Sequence, residues 1–98
     1  MIEIPLSNGS ANAHQTFSVE LGGKYLSFEL NYLSYLNTPG WTMDIKRDNT
    51  PIVMGAMLVP GVDVVANYRA DIGLLLFVGD EPTLDNLGAD NHLLWVSE

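Results

Sequence analysis

No cysteine occurs among the 98 residues, which removes disulfides, thiolate metal sites and cysteine nucleophiles together and fits a reducing, intracellular-type location. Basic side chains are almost as scarce. Lys24, Lys46, Arg47 and Arg69 stand against 12 carboxylates, for a formal net charge of −8. Contact with nucleic-acid phosphates needs Lys and Arg to displace counterions, so no specific nucleic-acid binding is expected. No apolar run reaches the roughly 18 residues that a membrane span requires. The opening MIEIPLSNGS has neither a basic region nor a long apolar stretch, so the expectation is a soluble, unprocessed chain without a membrane partner. Heptads, internal repeats and low-complexity segments are missing, as are G-x-S-x-G, HExxH and a phosphate-binding glycine loop, and no catalytic residue, metal ligand or cofactor site is assigned.

What is present is apolar alternation. Hydrophobic residues make up 47% of the chain, enough for the core of a single β domain over residues 1–98. Ile2, Ile4 and Leu6 alternate with Glu3, Pro5 and Ser7, and the proline puts that strand near an edge. Phe17, Val19 and Leu21 alternate with Thr16, Ser18 and Glu20 up to Gly22-Gly23, a pair suited to the positive φ of a two-residue hairpin turn. Across that turn Leu26, Phe28, Leu30 and Tyr32 share one face, with Val19 opposite Leu26 and Phe17 opposite Phe28.

Thr38-Pro39-Gly40 is a turn signal that leads into Trp41, Met43 and Ile45, which alternate with Thr42, Asp44 and Lys46. Arg47-Asp48-Asn49-Thr50 carries turn chemistry, and Pro51 belongs at a strand start or an edge. From Ile52 to Val59 both alternating sets are apolar, which predicts a strand covered on both faces or lying in an interface. Asp63 is placed to cap a turn or to sit in a short strand; GLLLFV at 73–78 and HLLWV at 92–96 are further strands. The sum is an all-β fold of six to seven mostly antiparallel strands, a small barrel or a sandwich, and a barrel would remove exposed edges.

Three groups of residues invite a chemical reading. Asp80, Glu81, Asp85, Asp90 and His92 crowd one segment, but their spacing is not that of a calcium loop, and Pro82, Asn86 and Gly88 mark an ordinary solvated connection. His14 and His92 are the side chains suited to proton transfer near neutral pH, and neither sits beside a nucleophile motif. Trp41, Trp95, Phe17, Phe28 and Phe77 suit a core better than a pocket in a domain this small, whereas Tyr25 and Tyr35 fall off the apolar face or near a loop, where amphipathic aromatics make contacts.

The order of IEIPL, QTFSVEL-GG-KY, W-x-x-D-I at Trp41 to Ile45, PI at 51–52, G-x-x-L-V at 55–59, G-x-D-V-V at 61–65 and GLLLFV resembles the baseplate plug family of small proteins in contractile-tailed bacteriophages. The likeness runs from about Ile4 to Trp95 and is weakest in the 7–13 loop and the acidic 80–91 segment. It implies a structural virion protein of the tail baseplate, assembled in the host cytoplasm, which plugs or lines the host-facing end of the tail tube near the hub. Its partners would be the hub, the tail tube and neighbouring plug subunits. Like charge on a channel wall would let DNA pass without adhering. Protein contacts are built from aromatics with flanking charges, which nominates Tyr35, Lys46, Arg47 and Arg69 as partner contacts. Two readings compete: a small β-barrel module that binds a sugar or peptide, favoured by exposed aromatics clustered in a concavity, and a metal-assisted enzyme, which needs the acids of 80–92 to converge with His92.

Overall fold

The computed structural model describes residues 2–34, 39–66, 68 and 72–97. They form eight strands: β1 (Ile2–Ile4), β2 (His14–Leu21), β3 (Lys24–Leu33), β4 (Gly40–Arg47), β5 (Thr50–Met57), β6 (Val62–Asp63), β7 (Leu74–Gly79) and β8 (Asn91–Val96), with one 3-10 turn at Ser10–Asn12. The count exceeds the expected six to seven by the two-residue β6, where the sequence left turn and short strand open. The strands make two antiparallel four-stranded sheets, the first in the order β2-β3-β4-β5 and the second in the order β1-β8-β7-β6. No ladder joins the two sheets among the described residues, so the architecture is the sandwich and not the closed barrel.

Register in the first sheet is set by its turns. Gly22 and Gly23 have φ of 59° and 80°, the two positive values that a type I′ hairpin needs, and Leu21 pairs with Lys24 around them. Phe17 then faces Phe28 and Val19 faces Leu26, as the alternation predicts. Asp48 and Asn49 reproduce the geometry without glycine, at φ 51° and 65°, and Arg47 pairs with Thr50. Asp and Asn tolerate this left-handed region better than other side chains because they bond locally to the backbone.

One β5 expectation needs correction. The doubly apolar run is an edge strand with register shifts on both sides of Ile45, and Gly55 at φ 74° is the bulged residue opposite Asp44. Asp44 Oδ1 accepts a 2.7 Å hydrogen bond from the Gly55 amide. The bulge changes which residues face inward, so Val53, Ala56 and Leu58 are buried while Met54, Met57 and Val59 are exposed. The strand is therefore uncovered on its outer side in the isolated chain.

The facing sides of the sheets share one hydrophobic cluster that includes Leu26, Phe28, Leu30, Trp41, Met43 and Ile45 from the first sheet and Ile4, Leu75, Phe77 and Leu93 from the second. Phe17 stacks on Phe28 with ring centroids 5.3 Å apart, and Tyr32 meets Trp41 edge-on at 5.4 Å. Trp41 is fully buried, and its Nε1 donates to Thr83 O at 3.0 Å, which ties the 80–90 connection to the first sheet. Asp63 fills both roles expected of it: it lies in β6, and its Oδ1 accepts from the amides of Val65 and Leu75.

Replacing Trp41 by Ala removes the largest buried side chain and leaves a cavity beside Tyr32. The change should lower unfolding stability by about 3–5 kcal/mol, read as a fall in the urea midpoint at unchanged slope. A shift equivalent to less than about 1 kcal/mol would mean that the site collapses or that the tryptophan is not core.

Candidate functional site: the outer surfaces

The meander β2-β3-β4-β5 places the β2–β3 and β4–β5 turns at the same end of the first sheet. Three of the chain's four Lys and Arg residues gather there: Lys24, Lys46 and Arg47. Gly23, Lys24, Tyr25, Arg47 and Asp48 line an open depression of about 550 Å³ at that end, and Tyr25 is 65% exposed. Lys46 projects from the outer face and Arg47 is half-buried at the turn. Of the residues nominated from sequence, Lys46 and Arg47 thus lie side by side at a hairpin tip, while Tyr35 and Arg69 lie outside the described residues. Tyr25 is a contact aromatic in the sequence reading but not one of the four nominated residues, and Lys24 is not nominated. Their proximity follows from the meander, which a segment-by-segment reading does not see.

The two outer faces differ in chemistry. On the first sheet the register aligns His14, Asn31 and Thr42, then Thr16, Glu29 and Asp44, then Ser18, Ser27 and Lys46, a polar surface with a shallow depression of about 470 Å³. On the second sheet the outward residues are Leu74, Leu76 and Val78 of β7 and Leu94 and Val96 of β8, all partly or fully exposed. The charged and titratable groups in that face are Glu3, Asp63 and His92. GLLLFV had been expected to be a buried strand; half of it is, through Leu75 and Phe77, and the other half forms this aliphatic strip. Its signal was in the sequence, because three consecutive leucines put apolar side chains on both faces.

The acidic connection between β7 and β8 is organised by amides and not by its carboxylates. Asn91 is fully buried; its Oδ1 accepts from Gly88 N at 2.7 Å and its Nδ2 donates to Asp80 O and to Asn86 Oδ1, both at 3.2 Å. Asn86 Oδ1 also accepts from Thr83 N, and Asn86 Nδ2 donates to Glu81 O. Pro82 and Leu87 turn inward, so the segment is a packed cap on one end of the sandwich, more structured than the solvated loop expected. His92 does not join Asp80 or Asp90: its Nδ1 lies 2.6 Å from Glu3 Oε2 on the neighbouring strand. His14 Nδ1 sits 2.5 Å from Asn31 Oδ1 and 3.6 Å from Glu29 Oε2. Among the described residues no three His, Asp or Glu side chains are placed to hold a metal ion. The two aromatic pairs described above belong to the core and to its margin, and Tyr25 is the aromatic that lines the basic depression.

Two uncovered surfaces on a small domain, one aliphatic and one basic, are the anatomy of a component that is finished by its neighbours. The sequence matches the family described as cyanophage baseplate Pam3 plug gp18 over residues 1–98. The chain belongs to this family. The resemblance seen in the order of strand and turn motifs is thereby shown, and with it the coarse role: a structural component of a phage tail baseplate, which assembles with other baseplate or tail proteins. No curated protein matches the chain.

Asn91→Ala should destabilise the isolated domain by about 1–3 kcal/mol, because the Gly88 amide and the Asp80 carbonyl lose a buried partner. Lys46→Glu and Arg47→Glu, at exposed or half-exposed positions, should each change stability by no more than about 0.5 kcal/mol. Urea titrations of the three variants separate the structural amide from the surface charges, and equal losses in all three would contradict this division.

Proposed function

We propose that the 98 residues act as one β domain that plugs or lines the host-facing end of the tail tube near the baseplate hub, in contact with hub, tube and neighbouring plug subunits. The aliphatic outer face of the second sheet carries this reading. Leu74, Leu76, Val78, Leu94 and Val96 form a contiguous surface that an isolated soluble domain gains nothing by exposing, and that a rigid assembly would bury. The carboxylates Glu3 and Asp63 border it, so the matching surface on a baseplate neighbour is an aliphatic patch edged by Lys or Arg. The basic hairpin tip, with Lys46 and Arg47, fixes orientation against an acidic neighbour, and Tyr35 and Arg69 complete the proposed contact residues. A net charge of −8 suits a tube end through which DNA passes, since like charge prevents adhesion. The protein works by occupancy and not by turnover, and it is built into particles in the host cytoplasm.

The experiment is co-expression with the tail tube and hub proteins, followed by purification of particles and electron microscopy. The double variant Leu76→Thr/Leu94→Thr keeps strand propensity while removing the apolar surface. It should fold with a urea midpoint near that of the parent and be depleted from particles at least tenfold. Arg47→Glu should weaken incorporation without loss of fold. A parent protein that is absent from purified tails, or that binds a sugar or peptide through the Tyr25 depression in the absence of other tail proteins, would replace this reading with the binding-module alternative.

A further inference from the structure

A sandwich of two open sheets has four edge strands, and three of them are blunted here. β1 has three residues and is followed by Pro5; β6 has two residues; β5 carries Pro51, the Gly55 bulge and two register shifts. These are the devices by which edges avoid pairing with other chains. β2 has none of them. Its eight residues, HQTFSVEL, contain no proline or glycine and pair with β3 without a shift.

The polarity of its free edge follows from the ladder. Tyr32 N donates to Ala13 O at 2.8 Å, so the odd-numbered residues of β2 direct their N–H and C=O groups to β3. His14, Thr16, Ser18 and Glu20 therefore direct theirs outward, and all four are exposed. Beside this edge runs a groove of about 360 Å³ lined by Pro5, Ser7, Gln15, Phe17 and Val19. At one end of it the Gln15 side chain already pairs with a passing main chain, its Oε1 accepting from Ser7 N at 3.1 Å and its Nε2 donating to Ser7 O at 2.8 Å. From Thr16 onward the groove is unfilled, and Phe17 and Val19 are only half-buried.

We infer that β2 pairs antiparallel with β2 of a second copy of this chain, about a two-fold axis through Phe17, to give a continuous eight-stranded sheet. The sequence around Phe17 is self-complementary for that pairing. His14 falls opposite Glu20 of the second copy at both ends, and Thr16 falls opposite Ser18 on either side of the axis. The outward-directed backbone groups of the even-numbered residues form the hydrogen-bonded pairs of the new ladder, and Phe17 meets Phe17 at a non-hydrogen-bonded position where side chains lie closest. No like charges face each other along the strand. A one-residue slip would mismatch the outward groups, and a two-residue slip would lose both His–Glu pairs, so the two-fold register through Phe17 is the favoured one.

Sedimentation equilibrium of the full chain over a concentration series tests the inference, with a monomer–dimer equilibrium expected. Ser18→Pro removes an edge N–H that points away from β3, so the domain should remain folded while the dimer dissociation constant rises at least tenfold. The cysteine-free background permits a register test: Thr16→Cys/Ser18→Cys should give a disulfide-linked dimer on mild oxidation, because hydrogen-bonded pairs lie about 5.5 Å apart at Cα, whereas each single variant should not. A chain that stays monomeric up to its solubility limit overturns the inference. So does a dimer that survives Ser18→Pro, or cross-linking as efficient in the single variants as in the double one. A monomer whose Ser18→Pro variant fails to join tube and hub proteins would also overturn it and assign the edge to a strand of another baseplate protein.

Discussion

Register is the constraint from which the rest of this structure follows. In a strand the side chains alternate with a period of two, so a slip of one residue would bring Ser27, Glu29 and Asp44 into the core and expel Phe28, Leu30 and Met43. Two tight turns prevent that slip, Gly22-Gly23 by the freedom of glycine and Asp48-Asn49 by side chains that accept the same left-handed backbone. With those turns fixed, the polar outer face, the buried inner face and the basic tip are one consequence seen from three sides. The Gly55 bulge is the local exception, and it is stabilised by the Asp44 carboxylate, itself on the outer face because the register holds.

Where a segment had one apolar and one polar face, its place could be read from the sequence. β2, β3 and β4 were legible residue by residue, including the pairing of Phe17 with Phe28 and the burial of Trp41. Legibility failed where both faces are apolar, as in β5 and β7, because alternation then carries no information about which side meets the core. In β5 the bulge removed what parity remained, and in β7 the aliphatic outer side passed for burial. The 80–91 connection failed for another reason. Its acidic residues dominate the composition, but Asn86 and Asn91 make the structure through carboxamides that can donate and accept at once. The basic tip lay between these cases: Lys46 and Arg47 were visible at a turn, whereas the meeting of Arg47 with Lys24 and Tyr25 depends on both hairpins ending at one end of the sheet.

The two outer faces assign the sheets different tasks. The first presents hydroxyls, amides and carboxylates that are at ease in water, and Met54 and Met57 make an exposed aliphatic margin along β5. The second presents leucine and valine with few charges. A small sandwich needs each sheet to bury one face only, so an apolar second face is surplus to folding. Lys24, Lys46 and Arg47 all belong to the first sheet, where Glu20, Glu29 and Asp44 accompany them, whereas the groups in the outer face of the second are Glu3, Asp63 and His92. A member of a baseplate family with such a surface offers neighbours two unlike sides, and unlike sides define direction in an assembly.

The pairing of β1 with β8 has a bearing on how the chain is made. Ile2 lies opposite Trp95 and Ile4 opposite Leu93, whereas every pairing in the first sheet is between strands that follow one another directly. During synthesis the meander from His14 to Met57 has all its partners once residue 57 has left the ribosome. The second sheet lacks one of its two central strands until β8 appears, and until then the inner face of the first sheet, Phe28 and Trp41 included, is only partly covered. Non-local closure of this kind is the slow step in β folding.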